Sequence, residues 1–162
     1  LVIVGHSERN TAYCESDENI AEKFNMIKKY KMTPLLCVGE NLIEREAGIM
    51  EKVVSEQIKT ILDLYGQDIF RGSIIAYEPI WAIGSDSAAS PEQIKKMCEF
   101  IKQLIYTNVT DNDDVNIVYG GSVNAKNAVQ LCEINGVDGI LMGRASLDAD
   151  EFFEICNSIH KI

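Results

Sequence analysis

The sequence predicts an α/β fold in which five strand–helix units form a single parallel sheet. Short apolar runs alternate with segments of helical periodicity along the whole chain. The connections are short and the composition does not shift, which indicates one domain without a linker. Strict alternation of this kind favours parallel strands that are covered by helices. A closed (β/α)8 barrel takes about 250 residues, so five units in 162 residues match its length per unit and leave roughly three units missing.

Each element has its own local signal. The strands are short apolar runs, expected at 1–4, 35–38, 73–77, 116–119 and 139–142. The helices show apolar residues three and four positions apart or capping signals, and are expected at 17–31, 51–64, from 90 onwards, at 124–132 and at 148–160. In the helix that opens at Ser90, Pro91 suits the first helical position and Gln93 stands at capping-box spacing.

Composition disfavours several classes of function. The net charge of −10 argues against general binding to nucleic acid. No apolar segment reaches the length of about 18 residues that a membrane helix needs, and no export signal is recognisable. The cysteines are odd in number and form no C-x-x-C pair; they are Cys14, Cys37, Cys98, Cys132 and Cys156. This pattern favours reduced thiols in the cytoplasm over disulfides or a metal site.

The segment around Glu78 is the most informative part of the chain. An isoleucine-rich strand ends at this carboxylate, and Pro79 cannot continue the strand ladder because it lacks an N–H. A loop with the sole tryptophan, Trp81, and then Gly84 follows. A carboxylate held at a strand end, beneath a loop that can exclude water, suits a general base. The alternative is a glutamate that caps a neighbouring helix or faces solvent.

Glycine-containing turns follow the last two strands. They are Gly120-Gly121-Ser122 and Gly143-Arg144. Such a turn lets backbone N–H groups approach a phosphate, and a following helix adds partial positive charge. A single Gly-Gly pair is usually only a tight turn, but the ends of the last two strands form the usual phosphate site of a (β/α)8 barrel. The pair of turns therefore predicts a phosphate site.

Seven blocks of sequence, in this order and spacing, resemble the triosephosphate isomerase family across essentially the whole chain. The blocks are residues 4–9 (VGHSER), 15–18 (ESDE), 37–40 (CVGE), 45–48 (REAG), 76–84 (AYEPIWAIG), 119–123 (YGGSV) and 145–147 (ASL). The resemblance implies a TIM barrel that interconverts dihydroxyacetone phosphate and glyceraldehyde 3-phosphate through an enediolate, in glycolysis and gluconeogenesis. It further implies a cytoplasmic enzyme without a cofactor, which forms a homodimer when full length.

The resemblance also implies a role for each matching residue. Glu78 is the base that moves a proton between two carbons, and His6 is the neutral electrophile that donates a hydrogen bond to the enediolate oxygen. Glu8 and Trp81 support the site, Glu8 by orienting polar groups and Trp81 as part of the closing loop. The residues whose backbone holds the substrate phosphate are Gly84, Ser122, Gly143 and Arg144. The alternative for His6 is a core histidine, and for Glu8 a buried ion pair with Arg9.

The chain departs from the family pattern at two places and matches only part of it. The family loop continues Gly-Thr-Gly-Lys, whereas residues 84–87 read GSDS, so Asp86 adds a like charge near an anionic substrate. Arg144 stands where a second glycine is more usual. The match begins at the fourth barrel strand, so residues 1–162 are expected to be the C-terminal portion of a single barrel domain, with three N-terminal units missing.

The absent portion bears on activity. The family's first strand supplies a lysine and an asparagine to the site, so the chain alone is expected to be inactive. The alternative function is a non-catalytic half-barrel that binds phosphate or pairs with another chain. Another phosphate-handling (β/α)8 enzyme is a weaker third candidate, because glycine turns are widespread whereas the Glu78 loop is not.

Overall fold

Five parallel strands form one sheet in a computed structural model that describes residues 1–85, 88–106 and 115–160. The strands are β1 Val2–Val4, β2 Pro34–Val38, β3 Ser73–Tyr77, β4 Val115–Gly120 and β5 Gly139–Leu141. Each strand pairs in parallel with the next one in the chain. This topology confirms the predicted α/β fold. Within the described residues β1 and β5 pair on one side only and form the two edges of the sheet.

Seven helices accompany the strands in the described part of the chain. They are α1 Ser7–Tyr13, α2 Asp17–Lys29, α3 Leu42–Glu46, α4 Met50–Tyr65, α5 Pro91–Tyr106, α6 Ala128–Cys132 and α7 Ala149–Ile159. Helix α2 ends two residues before its predicted end, and Lys31 lies in the left-handed region at φ 56°. The structure places helix α3 where no helix was predicted, although Asn41 and Glu44 form a capping box at its start.

Helix α6 is shorter than predicted because asparagine side chains occupy its expected first turn. The Asn124 side chain accepts a hydrogen bond from the backbone N–H of Lys126, at 2.9 Å. The Asn127 side chain in turn accepts from the backbone N–H of Asn124, also at 2.9 Å. Side chains of this type compete with helical hydrogen bonds and favour turns. The helix therefore starts at Ala128 and not at residue 124.

The main core lies between the sheet and the helices that cover it. Along β2 and β3, side chains alternate between the two faces of the sheet, as the two-residue strand period requires. Leu36 and Ile75 face the helices, whereas Leu35, Cys37 and Ala76 form a small second cluster on the opposite face. Burying each large aliphatic side chain contributes about 1.5–3 kcal/mol. This packing holds the carboxyl ends of the strands, and the side chains that follow them, in one place.

The described residues lack two further features. No helix there has the length and apolar character needed to cross a bilayer. Likewise, no group of three or more His, Cys, Asp and Glu side chains in these ranges could hold a metal ion. All five cysteines are free thiols.

Candidate active site

The carboxyl ends of the strands surround a cleft of about 470 Å³. Parallel strands place the residues that follow them at one edge of the sheet, so distant parts of the sequence meet there. Seven of the eight candidate site residues line the cleft: His6, Glu8, Glu78, Gly84, Ser122, Gly143 and Arg144. The eighth, Trp81, does not line it. The structure therefore gathers most of the predicted site into one cavity.

Glu78 is held directly after β3 by its backbone and by two glycines. Its N–H donates to the carbonyl oxygen of Val38, at 2.8 Å, and only 7% of the residue is exposed. A Cβ on Gly120 would lie 2.6 Å from the Glu78 Oε1 atom, and a Cβ on Gly39 would lie 2.6 Å from the Glu78 carbonyl carbon. Both neighbours must therefore be glycine for the carboxylate to occupy this position.

Among the described residues, one oxygen of the Glu78 carboxylate has no hydrogen-bond partner. Oε2 is buried and accepts no hydrogen bond from any described residue. Cys37 lies beside the carboxylate, where burial, followed by the charge of Glu78 and a hydrogen bond to it, raises the pKa of the thiol. Cys37 thus stays protonated and serves as a packing neighbour of the carboxylate. An unpaired buried carboxylate oxygen is available for chemistry in the cleft.

His6 faces this carboxylate from the end of β1. It occupies the N-cap position of α1, where its Nδ1 atom accepts a hydrogen bond from the backbone N–H of Glu8, at 3.3 Å. In a neutral imidazole, an accepting Nδ1 assigns the proton to Nε2. The His6 Nε2 atom lies 3.7 Å from the Glu78 Oε2 atom. A hydrogen-bond donor and a potential proton acceptor therefore lie next to each other in the cleft.

The loop after Glu78 is attached to the end of β4. The Ser122 Oγ atom lies 2.8 Å from the carbonyl oxygen of Ala82 and 2.6 Å from that of Ser85, and can donate its proton to either. The Tyr119 hydroxyl accepts from the backbone N–H of Ala89, at 3.0 Å. Ser122 has φ 48°, in the left-handed region, which costs energy in a non-glycine residue and recurs at functional sites. These bonds attach the described residues on both sides of positions 86–87 to the end of β4, and Ile83, Gly84 and Ser85 line the cleft.

Residue Asp86, the acidic departure in this loop, lies outside the described residues, as does Ser87. The loop on either side of them is described, and Gly84 adopts φ 67°. That conformation favours glycine. The backbone geometry at this position of the cleft wall therefore depends on residue 84 being glycine.

Trp81 supports the loop from outside the cleft, through a buried carboxylate that the sequence reasoning did not assign. Glu40 is fully buried and accepts hydrogen bonds from Trp81 Nε1 at 2.9 Å, Tyr77 Oη at 3.2 Å and Arg45 Nη1 at 3.1 Å. The Arg45 guanidinium also lies 5.5 Å from the centre of the Trp81 ring. The one signal that could have singled out Glu40 is its place after β2, in the turn Gly39-Glu40.

The alternative proposed for Glu8, a buried ion pair with Arg9, is wrong. Glu8 is exposed at the cleft wall. Arg9 pairs instead with Glu15, with 2.7 Å between Nη2 and Oε1, and Lys23 contacts the same carboxylate oxygen. Both cations lower the pKa of Glu15, Arg9 having the larger effect. The position of Glu15, six residues after Arg9, makes this pairing possible across the turn between α1 and α2.

Backbone N–H groups at the turns after β4 and β5 are available to a ligand. No hydrogen bond among the described residues uses the backbone N–H of Ser122, Gly143 or Arg144. The carbonyl oxygen of Gly143 accepts from the backbone and hydroxyl of Ser146, which orders the single 3₁₀ turn Arg144–Leu147. Unpaired N–H groups next to glycines are the donors that an anionic oxygen binds.

Comparisons with known proteins agree on one family. The family model described as Triosephosphate isomerase matches residues 1–159. A protein named triosephosphate isomerase from Vesicomyosocius okutanii is 44% identical over 159 residues, 97% of this chain and 64% of the relative. The protein of the same name from Legionella pneumophila strain Paris is 44% identical over 160 residues, 98% of this chain and 64% of the relative. The one from Proteus mirabilis is 47% identical over 152 residues, 93% of this chain and 59% of the relative. The chain thus spans about 64% of the length of the first of these relatives.

Proposed function

Since this chain belongs to the triosephosphate isomerase family, we propose that it forms five of the eight units of an isomerase barrel. The enzyme would interconvert dihydroxyacetone phosphate and glyceraldehyde 3-phosphate through an enediolate. The five units would be the last five, strands four to eight, and residues 1–162 would be the C-terminal portion of one domain. The 64% share of the relatives' length agrees with five units of eight. The term complete barrel below means these residues together with the three further units.

The unpaired Oε2 atom of Glu78, 3.7 Å from His6 Nε2, is the observation that carries the proposal. In the first step Glu78 takes a proton from the carbon next to the substrate carbonyl. His6 Nε2–H donates a hydrogen bond to the carbonyl oxygen, on which negative charge develops as the enediolate forms. Glu78 then returns the proton to the neighbouring carbon, and the hydroxyl proton passes to the former carbonyl oxygen, so that the carbonyl and hydroxyl groups exchange places. No cofactor takes part in this sequence of proton transfers.

The substrate phosphate would lie at the other end of the cleft. Backbone N–H groups of Ser122, Gly143 and Arg144 have no partner among the described residues and would donate to its oxygens, with Gly84 completing the cradle. The loop held by Ser122 and Tyr119 would exclude water, which strengthens each of these hydrogen bonds and protects the enediolate. The substrate would thus be fixed at its phosphate and reacted at its other end.

A non-catalytic half-barrel explains the site less well. A phosphate ligand gains nothing from Glu78, whose negative charge repels it. Gly120 leaves room for the Glu78 side chain and Gly39 for the Glu78 backbone, so both glycines serve to place a carboxylate that a phosphate site does not need. We further propose a cytoplasmic homodimer. The free thiols support the location. Helix α1 buries none of its residues and exposes 69% of Tyr13, which supports a contact with a partner subunit.

The test is the Glu78→Gln variant of the complete barrel, with Glu22→Gln, an exposed position on α2, as the control. General-base catalysis contributes about 10²–10⁴-fold, so turnover should fall by at least about 10²-fold in the first variant and stay unchanged in the second. The unfolding transition should be similar in both. Turnover close to normal in Glu78→Gln would remove Glu78 from the mechanism.

The isolated chain of 162 residues is the second arm of this test. We expect no conversion of dihydroxyacetone phosphate by it, because five strands do not close the barrel around the site. Conversion that disappears with Glu78→Gln would show that the five units suffice.

A further inference from the structure

The charged residues of the cleft are unbalanced. Three carboxylates line it, those of Glu8, Glu78 and Glu151, whereas Arg144 is the one lysine or arginine in the described wall. The whole chain carries a net charge of −10, so its overall field does not attract an anion. A dianionic phosphate in this cleft needs a local positive charge. Within the described wall, Arg144 is the side chain that supplies one.

Arg144 differs from the three other arginines of the chain in having no hydrogen-bond or ion-pair partner among the described residues. Arg9 is paired with Glu15, Arg45 with Glu40 and Arg71 with Asp68. For Arg144, no hydrogen bond or ion pair connects its guanidinium to any part of the chain that the structure describes. The N–H donors of a guanidinium form a planar fork that binds a carboxylate or phosphate through two parallel hydrogen bonds. The guanidinium is thus free to bind one from solution.

The side chain also reaches across the cleft to the loop. Arg144 follows β5, yet its Nη2 atom lies 3.8 Å from the position that a Cβ on Gly84 would occupy. The guanidinium therefore lies between the turn after β5 and the loop after β3. These are two of the segments that would hold the phosphate in the proposed function.

We propose that the Arg144 guanidinium is a specificity-determining group that binds the substrate phosphate and connects it to the loop at Gly84. The inference rests on the proposed function and assigns a side chain to a subsite that the backbone alone would otherwise form. Backbone N–H groups recognise the shape of an anion but carry no net charge. A guanidinium adds a full positive charge and two parallel donors, so it favours a dianion over a singly charged or neutral group.

The experiment measures inhibition of the complete barrel by phosphoglycolate, a phosphate ester whose carboxylate imitates the enediolate. The variants are Arg144→Gln, which removes the charge, and Arg144→Lys, which keeps it. Lys59→Gln is the control, because it changes the net charge equally at an exposed position on α4. We expect about tenfold weaker inhibition with Arg144→Gln, the size of a partly exposed charge-assisted hydrogen bond, and no change with Lys59→Gln. The inhibition constant of Arg144→Lys should lie between those of Arg144→Gln and Lys59→Gln. Raising the salt concentration should reduce the difference between Arg144→Gln and the unchanged protein.

Equal inhibition constants in Arg144→Gln and the unchanged protein would overturn the assignment of Arg144. An equal loss in Arg144→Gln and Lys59→Gln would overturn it as well, because the effect would then be one of net charge. Either result leaves the Glu78→Gln test intact, since that test measures turnover. Conversely, a complete barrel that binds phosphoglycolate through Arg144 but does not turn over the substrate would refute the isomerase proposal and keep this one.

Discussion

Replacing Gly120 by alanine tests whether the position of the Glu78 carboxylate controls turnover. A Cβ on Gly120 would lie 2.6 Å from Glu78 Oε1 and 2.8 Å from its Cγ. Ordinary van der Waals contact begins near 3.4 Å, so the carboxylate must move by about 0.8 Å to accommodate the methyl group. The atoms in conflict belong to a side chain, which can rotate, and not to the backbone.

A displacement of this size has a predictable effect on catalysis. Misplacing a reacting group by about 1 Å costs on the order of 10²-fold in rate, so Gly120→Ala should lower turnover by about that factor. The free energy of unfolding should change by only about 1 kcal/mol, because the side chain can rotate away from the new methyl group. Activity and stability are thus expected to respond separately.

Gly39→Ala is the informative contrast. A Cβ there would overlap the carbonyl oxygen of Glu78 and lie 2.6 Å from its carbonyl carbon, and this backbone cannot rotate away. The free energy of unfolding should therefore fall by about 3 kcal/mol or more. Gly139→Ala is the control, because its Cβ would meet only Val118 Cγ1, at 3.3 Å.

The assay combines turnover of the complete barrel with urea unfolding of the same three variants. The expected pattern is low turnover with near-normal stability for Gly120→Ala, low stability for Gly39→Ala, and little change for Gly139→Ala. Full turnover in Gly120→Ala would refute the reasoning, because the carboxylate would then tolerate the displacement. So would a loss of stability equal to that of Gly39→Ala, because the fold and not the carboxylate would then have failed.

Two further predictions concern the loop and alkaline pH. Glycine suits the φ of 48° at position 122, but Ser122→Gly removes the hydroxyl that contacts Ala82 and Ser85. Phosphoglycolate should therefore inhibit this variant about fivefold more weakly, which is the effect of losing one hydrogen bond, without loss of stability. An unchanged inhibition constant would show that these contacts do not hold the loop in place. Burial raises the pKa of Tyr119 from 10.0 to about 12. Between about pH 10 and pH 12, the Tyr119 hydroxyl loses its proton in the unfolded chain but keeps it in the folded chain. The free energy of unfolding should therefore fall by at most roughly 3 kcal/mol over this pH range. In urea titrations at increasing pH, Tyr119→Phe should reduce this fall, whereas Tyr30→Phe, at a tyrosine that is 67% exposed, should not. If the free energy of unfolding fell equally with pH in both variants, Tyr119 would not be the group responsible.

Strands β2 and β3 could be predicted because burial on both faces leaves a nearly uninterrupted apolar run. All five residues of β2 are buried, and such a run is readable without any knowledge of neighbours. Helix α1 could not be predicted in the same way, since it buries no residue and therefore has no apolar stripe. Helix α3 is too short for periodicity, and only the capping box from Asn41 to Glu44 marks it.

The site was predictable only as far as its residues follow strand ends. Glu78 and the turn at Gly143 have that signal, and the family resemblance assigned roles to them. The function of Glu40 was not predictable, because its donors come from Tyr77 and Trp81, 37 and 41 residues away, and from Arg45. Hydrogen bonds over such separations depend on the sheet, and no local pattern in the sequence records them.

The two buried carboxylates at this end of the sheet differ in their hydrogen bonds. Glu40 and Glu78 follow neighbouring strands and are 0% and 7% exposed. Glu40 accepts from three side chains, whereas Glu78 keeps one oxygen unpaired next to His6. Leaving a buried acceptor unpaired costs about 1–3 kcal/mol, and Gly39 and Gly120 leave room for Glu78 but offer it no side-chain donor. In the proposed function this cost leaves an acceptor ready for a proton, whereas Glu40 binds Trp81 in the loop that follows β3.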